Sequence, residues 1–275
     1  MNPMSDPSPA QSPAQSPVSR NRWRIHLLLI TAYILVVGLL GLSRKGGARE
    51  AALSHTAAGL LGRCAVELLV FGLVFGLAWL ASRATRGQLR LGWRGVARPV
   101  LQGIGYSVAL RLALGVLMVM IALGLVATQA MSPKELQNFF AANRPDVRAT
   151  VDLAALRDDP AYFWLTVTLV SFVVAGLREE LWRSAFLAGL QALWPRWFGS
   201  TGGQVLAVIL CAMLFGLGHM AMGWVAVGMT GMIGLGLGLI MVLHRSIWPA
   251  VIAHGLFDAT SFAMLPWAMK YAGAL

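Results

Sequence analysis

Four ionisable side chains interrupt an apolar part of the chain. The segment AGLREELWRSAF, residues 175–186, contains Arg178, Glu179, Glu180 and Arg183 directly after a long apolar run. Charges in such surroundings are costly, and they are usually paired or functional. These side chains are therefore the first candidates for chemistry.

Two further segments place polar side chains within apolar runs at a shared spacing. FGLGHM contains Phe215 and His219, and AHGLFDAT contains His254 and Asp258; each pair is four residues apart. The same interval separates the first glutamate from the second arginine of the first segment. A spacing of four puts both members of a pair on one helix face. Either histidine alone could be a hydrogen-bonded packing residue, but the whole set predicts three helices that line one polar cavity.

The residue types in this set can hydrolyse an amide. A carboxylate beside a neutral imidazole can hold and deprotonate a water molecule. A second imidazole, hydrogen-bonded to an aspartate, can donate to the developing oxyanion. This chemistry uses activated water and no covalent intermediate. The same ligand types could instead hold a divalent metal such as zinc, so the sequence leaves open whether there is no cofactor or a metal.

Other intramembrane protease chemistries lack their residues in this sequence. There is no H-E-x-x-H zinc motif and no G-x-S-G serine motif. Asp258 is the only aspartate inside a predicted span, so two intramembrane aspartates cannot form a catalytic pair.

The composition predicts a membrane protein. Of 275 residues, 57% are hydrophobic and 12% are charged, and the mean hydropathy is +0.69; about a quarter of the residues of a soluble domain are charged. Long apolar runs separated by arginines indicate an all-α, polytopic transmembrane helix bundle, because a barrel would need short alternating segments. The net charge of +11 fits membrane topology and anionic lipid, and we expect no nucleic-acid partner because no basic stripe lies on a soluble module.

Seven apolar runs predict about seven spans around a polar catalytic cavity. The chain divides into a disordered Pro/Ser/Gln-rich tail, N-terminal transmembrane helices, a surface loop with an interfacial helix, and a catalytic helix bundle; these regions are residues 1–20, 21–130, 131–160 and 161–275. The predicted spans are residues 25–42, 57–81, 100–127, 163–190, 204–220, 224–243 and 247–265.

Arginine placement predicts the orientation of the bundle. Arginines cluster at residues 20–24 and 83–98. With seven spans, these clusters fall on the same side as Arg196 and Arg245, which favours a cytoplasmic N-terminus. The basic residues of the first outer loop oppose this arrangement; they are Arg44, Lys45 and Arg49.

Other features within the predicted spans have structural interpretations. Arg63 and Glu67 are four residues apart and predict an ion pair on one helix face. Arg111 stands alone in its span and is expected to reach a surface or a carboxylate on another helix. Glycines four residues apart permit close helix approach; they are Gly72 with Gly76 and Gly234 with Gly238.

The ordered motifs resemble those of the CAAX-protease and bacteriocin-processing (Abi, type II CAAX prenyl endopeptidase-like) family of membrane proteins. That family has a double glutamate followed by an arginine, then F-x-x-x-H, then H-x-x-x-N/D, on successive helices. The matching residues lie within residues 160–262. One departure is that two residues separate Glu180 from Arg183, where the family usually has three; both glutamates still share a helix face with this arginine.

The resemblance implies roles for the six candidate site residues. Glu179 and His219 would activate water, and Glu180 with Arg183 would form a supporting pair. The remaining two, His254 and Asp258, would stabilise the oxyanion.

The resemblance also implies a substrate class and a location. Members cut membrane-associated peptides or proteins, by mechanisms described both as glutamate-dependent and as metal-dependent. Partners would therefore be such a substrate and the lipid bilayer, with the chain in a bacterial cell membrane. Two alternatives remain: a non-catalytic scaffold or peptide-toxin immunity protein of the same fold, and a transporter with the polar cluster as a relay, against which no internal repeat appears.

Overall fold

The computed structural model describes residues 17–43, 54–93 and 95–272, and these residues form helices and connecting turns without a β-strand. The predicted all-α helix bundle is confirmed. The long helices are α1 (Pro17–Ser43), α2 (Ala57–Ser82), α3 (Ala97–Ala127), α7 (Arg178–Leu193), α9 (Thr201–Gly218), α10 (Trp224–His244) and α11 (Trp248–Ala272). The short helices are α4 (Pro133–Ala142), α5 (Leu153–Asp158), α6 (Pro160–Leu165) and α8 (Pro195–Phe198).

Two 3-10 turns and a π-helix complete the described elements. The turns are Val147–Ala149 and Met220–Met222, and the π-helix is Thr166–Leu177, which joins α6 to α7.

Parts of the sequence predictions fall outside the described residues. Residues 1–16, which make up most of the predicted tail 1–20, lie outside the described residues. The helix α1 begins at Pro17, inside the last part of that predicted tail. The opposing basic residues Arg44, Lys45 and Arg49 also lie outside the described residues.

Six helical segments of the described chain are long and apolar enough to cross a membrane. They are Arg20–Leu40, Ala57–Ser82, Ala97–Ala127, Pro160–Leu193, Thr201–Gly218 and Trp224–His244. The seventh predicted span, residues 247–265, lies in α11, which is not among these six segments. These six helices make the chain a multi-pass membrane protein, with apolar side chains such as Leu101 and Leu112 of α3 exposed on the outside of the bundle.

The helices near the N-terminus hold α7 in place. The imidazole of His26 in α1 lies 2.9 Å from the carbonyl oxygen of Ala78 in α2 and 3.0 Å from that of Ala185 in α7. The indole of Trp182 donates to the carbonyl of Ile30 at 3.0 Å. Three helices are therefore tied together at buried backbone carbonyls, beside the aromatic core around Trp182.

The segment between α3 and α6 folds over the end of α9. Ser132 and Glu135 form the capping box that starts α4, with bonds of 3.3 and 2.8 Å. Further along, the amide of Asp146 donates to the carbonyl of Met222 at 3.0 Å, and the Thr150 hydroxyl lies 3.5 Å from the sulfur of the same methionine. The segment thus contacts the turn that immediately follows His219.

Candidate active site

The candidate acidic pair begins α7, immediately after the π-helix. A π-helix closes its hydrogen bonds over five residues, is rare, and occurs frequently at functional sites. The hydroxyl of Ser171 follows this spacing, because it donates to the carbonyl of Thr166, five residues earlier, at 2.9 Å. Glu179 and Glu180 lie in the first turn of α7.

A glycine on each side lets the π-helix and α11 approach closely. A Cβ at Gly176 would lie 2.9 Å from the carbonyl oxygen of Val251, and a Cβ at Gly255 would overlap the ring of Phe172. Real Cβ atoms do not come so close to other atoms, so a side chain at Gly176 would displace the backbone of Val251, and one at Gly255 would displace the ring of Phe172. The close contact brings His254 to the acidic pair.

Glu180 and Arg183 form a fully buried ion pair. Both side chains are 0% exposed, and Nη1 of Arg183 donates to Oε1 of Glu180. The guanidinium also lies 5.0 Å from the centre of the Phe215 ring. Among the described residues, Oε2 of the glutamate and Nε and Nη2 of the arginine have no hydrogen-bond partner. Only two residues separate Glu180 from Arg183, one fewer than is usual in the family. The ion pair nevertheless forms, and Glu180 is the arginine's partner.

His254 lies among three carboxylates. Its Nδ1 is 3.2 Å from Oε1 of Glu180, which is hydrogen-bonding distance. Its Nε2 is 3.8 Å from Oε2 of Glu179 and 3.7 Å from Oδ2 of Asp258. These last two separations exceed a direct hydrogen bond. The ring is thus flanked by carboxylates at both nitrogens, with a hydrogen bond at Nδ1.

His219 is oriented by the backbone at the end of α9. Its Nδ1 lies 2.9 Å from the carbonyl oxygen of Phe215. A carbonyl oxygen only accepts, so Nδ1 carries the hydrogen and Nε2 of the neutral ring keeps its lone pair. The Phe215 ring is 4.8 Å from the His219 ring and 6.1 Å from the His254 ring, measured between centres. The ring of this phenylalanine therefore lies beside both imidazoles.

Of the six predicted site residues, five are joined by polar contacts of less than 4 Å through His254 and Glu180. The sixth, His219, joins the group through Phe215.

Arg178 lies beside the site, although the sequence motifs assign no role to it. Its Nη2 donates to Oε1 of Glu179 at 2.9 Å, and its Nη1 donates to Oε2 of Glu67 in α2 at 3.1 Å. The predicted pair of Arg63 with Glu67 is present at 2.8 Å, but Glu67 also extends to Arg178. A signal was available, because an arginine beside two glutamates in an apolar helix needs a partner.

Arg111 supports the other edge of the site from α3. Its guanidinium donates to the carbonyls of Leu256 at 3.3 Å and Phe257 at 2.6 Å, and to the hydroxyl of Thr260. It also lies 4.2 Å from the centre of the Phe257 ring. The isolated arginine thus reaches another helix, as expected, but its hydrogen bonds there go to carbonyl and hydroxyl oxygens. They fix the turn of α11 that carries Asp258.

The described side chains do not fit a metal centre as they are placed. Zinc with histidine and carboxylate ligands needs several donor atoms about 2.0–2.2 Å from one point. Within residues 17–43, 54–93 and 95–272, no group of three or more His, Cys, Asp or Glu side chains is arranged to hold a metal ion. We therefore derive no step through a metal.

A comparison with protein families supports the resemblance drawn from the motifs. The model of the Rce1-like family, described as type II CAAX prenyl endopeptidase Rce1-like, matches residues 160–260. This range contains every candidate site residue and confirms the similarity to CAAX proteases. No curated protein and no solved structure matches the chain significantly.

Proposed function

We propose that this protein is a membrane-embedded endopeptidase that hydrolyses a peptide bond in a membrane-associated peptide or protein. The observation that carries the proposal is the grouping of three carboxylates of α7 and α11 around the His254 imidazole, at 3.2 to 3.8 Å. The family match independently supports a CAAX protease-like hydrolase. The N-terminus would be cytoplasmic, because arginines cluster on that side of the spans.

We assign Glu179 as the general base. Its side chain is partly exposed, whereas Glu180 is fully buried and bound to Arg183. Arg178 holds one oxygen of Glu179, and the other oxygen faces His254. A carboxylate held at one oxygen and open at the other can accept a proton from water in a fixed direction.

The reaction needs only water as a second substrate. Glu179, assisted by the lone pair on Nε2 of His219, removes a proton as the water oxygen attacks the amide carbonyl carbon. The carbonyl oxygen becomes an oxyanion, to which His254 donates from Nε2, while the hydrogen bond of Nδ1 with Glu180 orients that ring. Asp258 lies 3.7 Å from the same Nε2 and favours the donating form of the imidazole. The carbon–nitrogen bond then breaks, and the leaving amine takes the proton from Glu179. The products are a carboxylic acid and an amine.

The proposal is tested by comparing peptide termini in membranes. Cells that produce the wild-type protein, Glu179→Gln or His219→Asn are compared by mass spectrometry of membrane peptides. We expect new termini with the wild type and none with either variant, while all three proteins reach the membrane in equal amounts. Asp158→Asn is the matched control, because Asp158 is an exposed carboxylate that pairs only locally, with Arg157.

Two outcomes would contradict the proposal, one its choice of base and the other its enzymatic function. Termini that persist in Glu179→Gln would contradict the assignment of the base. A cellular phenotype that survives both site variants without any new terminus would favour the non-catalytic scaffold or immunity protein.

A further inference from the structure

The loop between α2 and α3, residues 83–96, buries an arginine. Arg90 is 6% exposed and has a left-handed backbone with φ of 53°. Its carbonyl accepts a hydrogen bond from the amide of Ile247 at 3.0 Å, which fixes the loop at the start of α11. Nη2 of the guanidinium donates to the amide oxygen of Gln204 at 3.2 Å. Nη1 is buried and has no hydrogen-bond partner among the described residues.

The chain segments around Arg90 contain another arginine and no carboxylate. Residues 83–98, 191–204 and 243–249 contain no aspartate or glutamate. Burial and the nearby positive charge of Arg245 both lower the pKa of Arg90. A buried cation without an anionic partner is unfavourable, so this position calls for an anion from outside these segments.

The beginning of α9 adds to the same positive field. Ser200 caps this 18-residue helix by accepting from the amide of Gly203 at 3.1 Å, and Gln204 lies in its first turn. A helix N-terminus attracts anions through its free amides and its dipole. Gln204 therefore joins two features that favour negative charge, the unpartnered guanidinium and the helix start.

We propose that Arg90, Arg245 and the first turn of α9 form a binding site for a phosphate group, from an anionic lipid headgroup or from free phosphate. A guanidinium matches the oxygens of a phosphate, and the loop joins two membrane-crossing helices at the level of lipid headgroups. This site is separate from the proposed active site. It is linked to α7 mechanically, because the carbonyl of Leu89 accepts from the hydroxyl of Ser184 at 2.5 Å.

Thermal unfolding of the full-length protein in detergent tests the site. The midpoint Tm is measured with added inorganic phosphate, with phosphatidylglycerol, or with phosphatidylcholine as the reference lipid, at constant ionic strength. A ligand that binds only the folded state raises the Tm. We expect a rise of a few degrees for the wild type and its loss in Arg90→Gln. Arg86→Gln is the matched control, because Arg86 is an exposed arginine of the same loop and should keep the rise.

A second variant keeps the test valid if Arg90→Gln fails to fold. Gln204→Glu supplies a carboxylate where the amide now lies 3.2 Å from the guanidinium. We expect a higher Tm without ligand and no further rise with phosphate or lipid. A rise with inorganic phosphate would identify free phosphate as a sufficient ligand, and a rise with phosphatidylglycerol alone would identify the headgroup; both support the site.

Three results would overturn the proposal. They are no rise in the wild type with either ligand, an unchanged rise in Gln204→Glu, and an equal loss in Arg86→Gln. The last result would mean that the arginines of this loop attract anions by their general positive charge, without a defined binding site.

Discussion

Nδ1 of His254 lies 3.2 Å from Oε1 of Glu180, the oxygen that also accepts from Arg183. One buried carboxylate thus joins the arginine of α7 to the imidazole of α11. The two glutamates of the acidic pair therefore have different surroundings, and their substitutions should have different consequences.

Glu180→Gln should destabilise the protein, because it leaves Arg183 charged and unpaired in the interior. Breaking a buried pair on one side costs about 3–5 kcal/mol. Urea unfolding in mixed micelles measures the loss, and the double variant Glu180→Gln with Arg183→Met should recover part of it. Equal stability of Glu180→Gln and wild type would contradict the structural role of the pair.

Glu179→Gln should instead remove activity and leave most of the stability. Loss of a general base typically lowers the rate by about 10²–10⁴-fold. The measurement is the turnover of a peptide identified from the new membrane termini, together with the same urea unfolding. A rate within a few-fold of wild type would reassign the base.

Arg178→Gln should lower turnover more than it changes KM. Arg178 bonds both Glu179 and Glu67, and Glu67 lies in α2. Loss of Arg178 therefore frees the side chain of the proposed base, Glu179, without removing it. Arg178→Lys should restore part of the rate, since it keeps the charge. Arg63→Gln is the control, because Arg63 pairs with the other oxygen of Glu67, whereas it is Arg178 that donates to Glu179. Equal losses in Arg63→Gln and Arg178→Gln would argue against a positioning role.

Gly176→Ala should inactivate the protein by separating two helices. The new methyl would lie 2.9 Å from the carbonyl oxygen of Val251, so α11 must move away and carry His254 from Glu180. Gly72→Ala in α2 is the matched control, because a Cβ there meets nothing within 4 Å. Alanine in that helix should be neutral or stabilising. Peptide turnover and Tm of both variants check the expectation, which fails if Gly176→Ala is as active as Gly72→Ala.

Asp152 should make the stability of the segment 131–160 depend on pH. Hydrogen bonds from the amide of Ala155 and from His55 lower its pKa below 3.8. A lowered pKa in the folded state means that this carboxylate stabilises the fold above about pH 4, and that the contribution disappears as the pH falls through the folded-state pKa. Asp152→Asn keeps a helix cap but removes the charge.

Limited proteolysis across pH measures this effect. We expect Asp152→Asn to be cut faster than wild type in the segment 131–160 at neutral pH, and the two proteins to converge under strongly acidic conditions. A difference that grows as the pH falls would contradict the assignment.

The sequence predicts which candidate site residues share a helix face, because helical periodicity is local. Pairs such as His254 with Asp258 lie on one face wherever their helices are placed. The link from Arg178 to Glu67 spans 111 residues of sequence, and periodicity within one helix carries no information about such a contact. It depends on which helices become neighbours.

The glycine pairs show the same limit. A Cβ at Gly234 would meet Phe215 at 2.8 Å, and a Cβ at Gly238 would meet Val208 at 2.5 Å, so this pair does permit close approach. The pair in α2, Gly72 and Gly76, has nothing within 4 Å of either position. Identical spacing accompanies a close approach in one helix and none among the described residues in the other, because only the tertiary arrangement decides what each glycine faces.

The π-helix Thr166–Leu177 has a consequence for how related chains will compare with this one. Each wide turn takes in more residues than an α-turn, so a counterpart with an ordinary helix reaches the same acidic pair with fewer residues. Alignments should accordingly open a gap inside this hydrophobic segment, where gaps are normally penalised. An insertion or deletion here would rotate the face of α7 that carries the acidic pair relative to α11. Substrate specificity would then change while every motif residue stays the same.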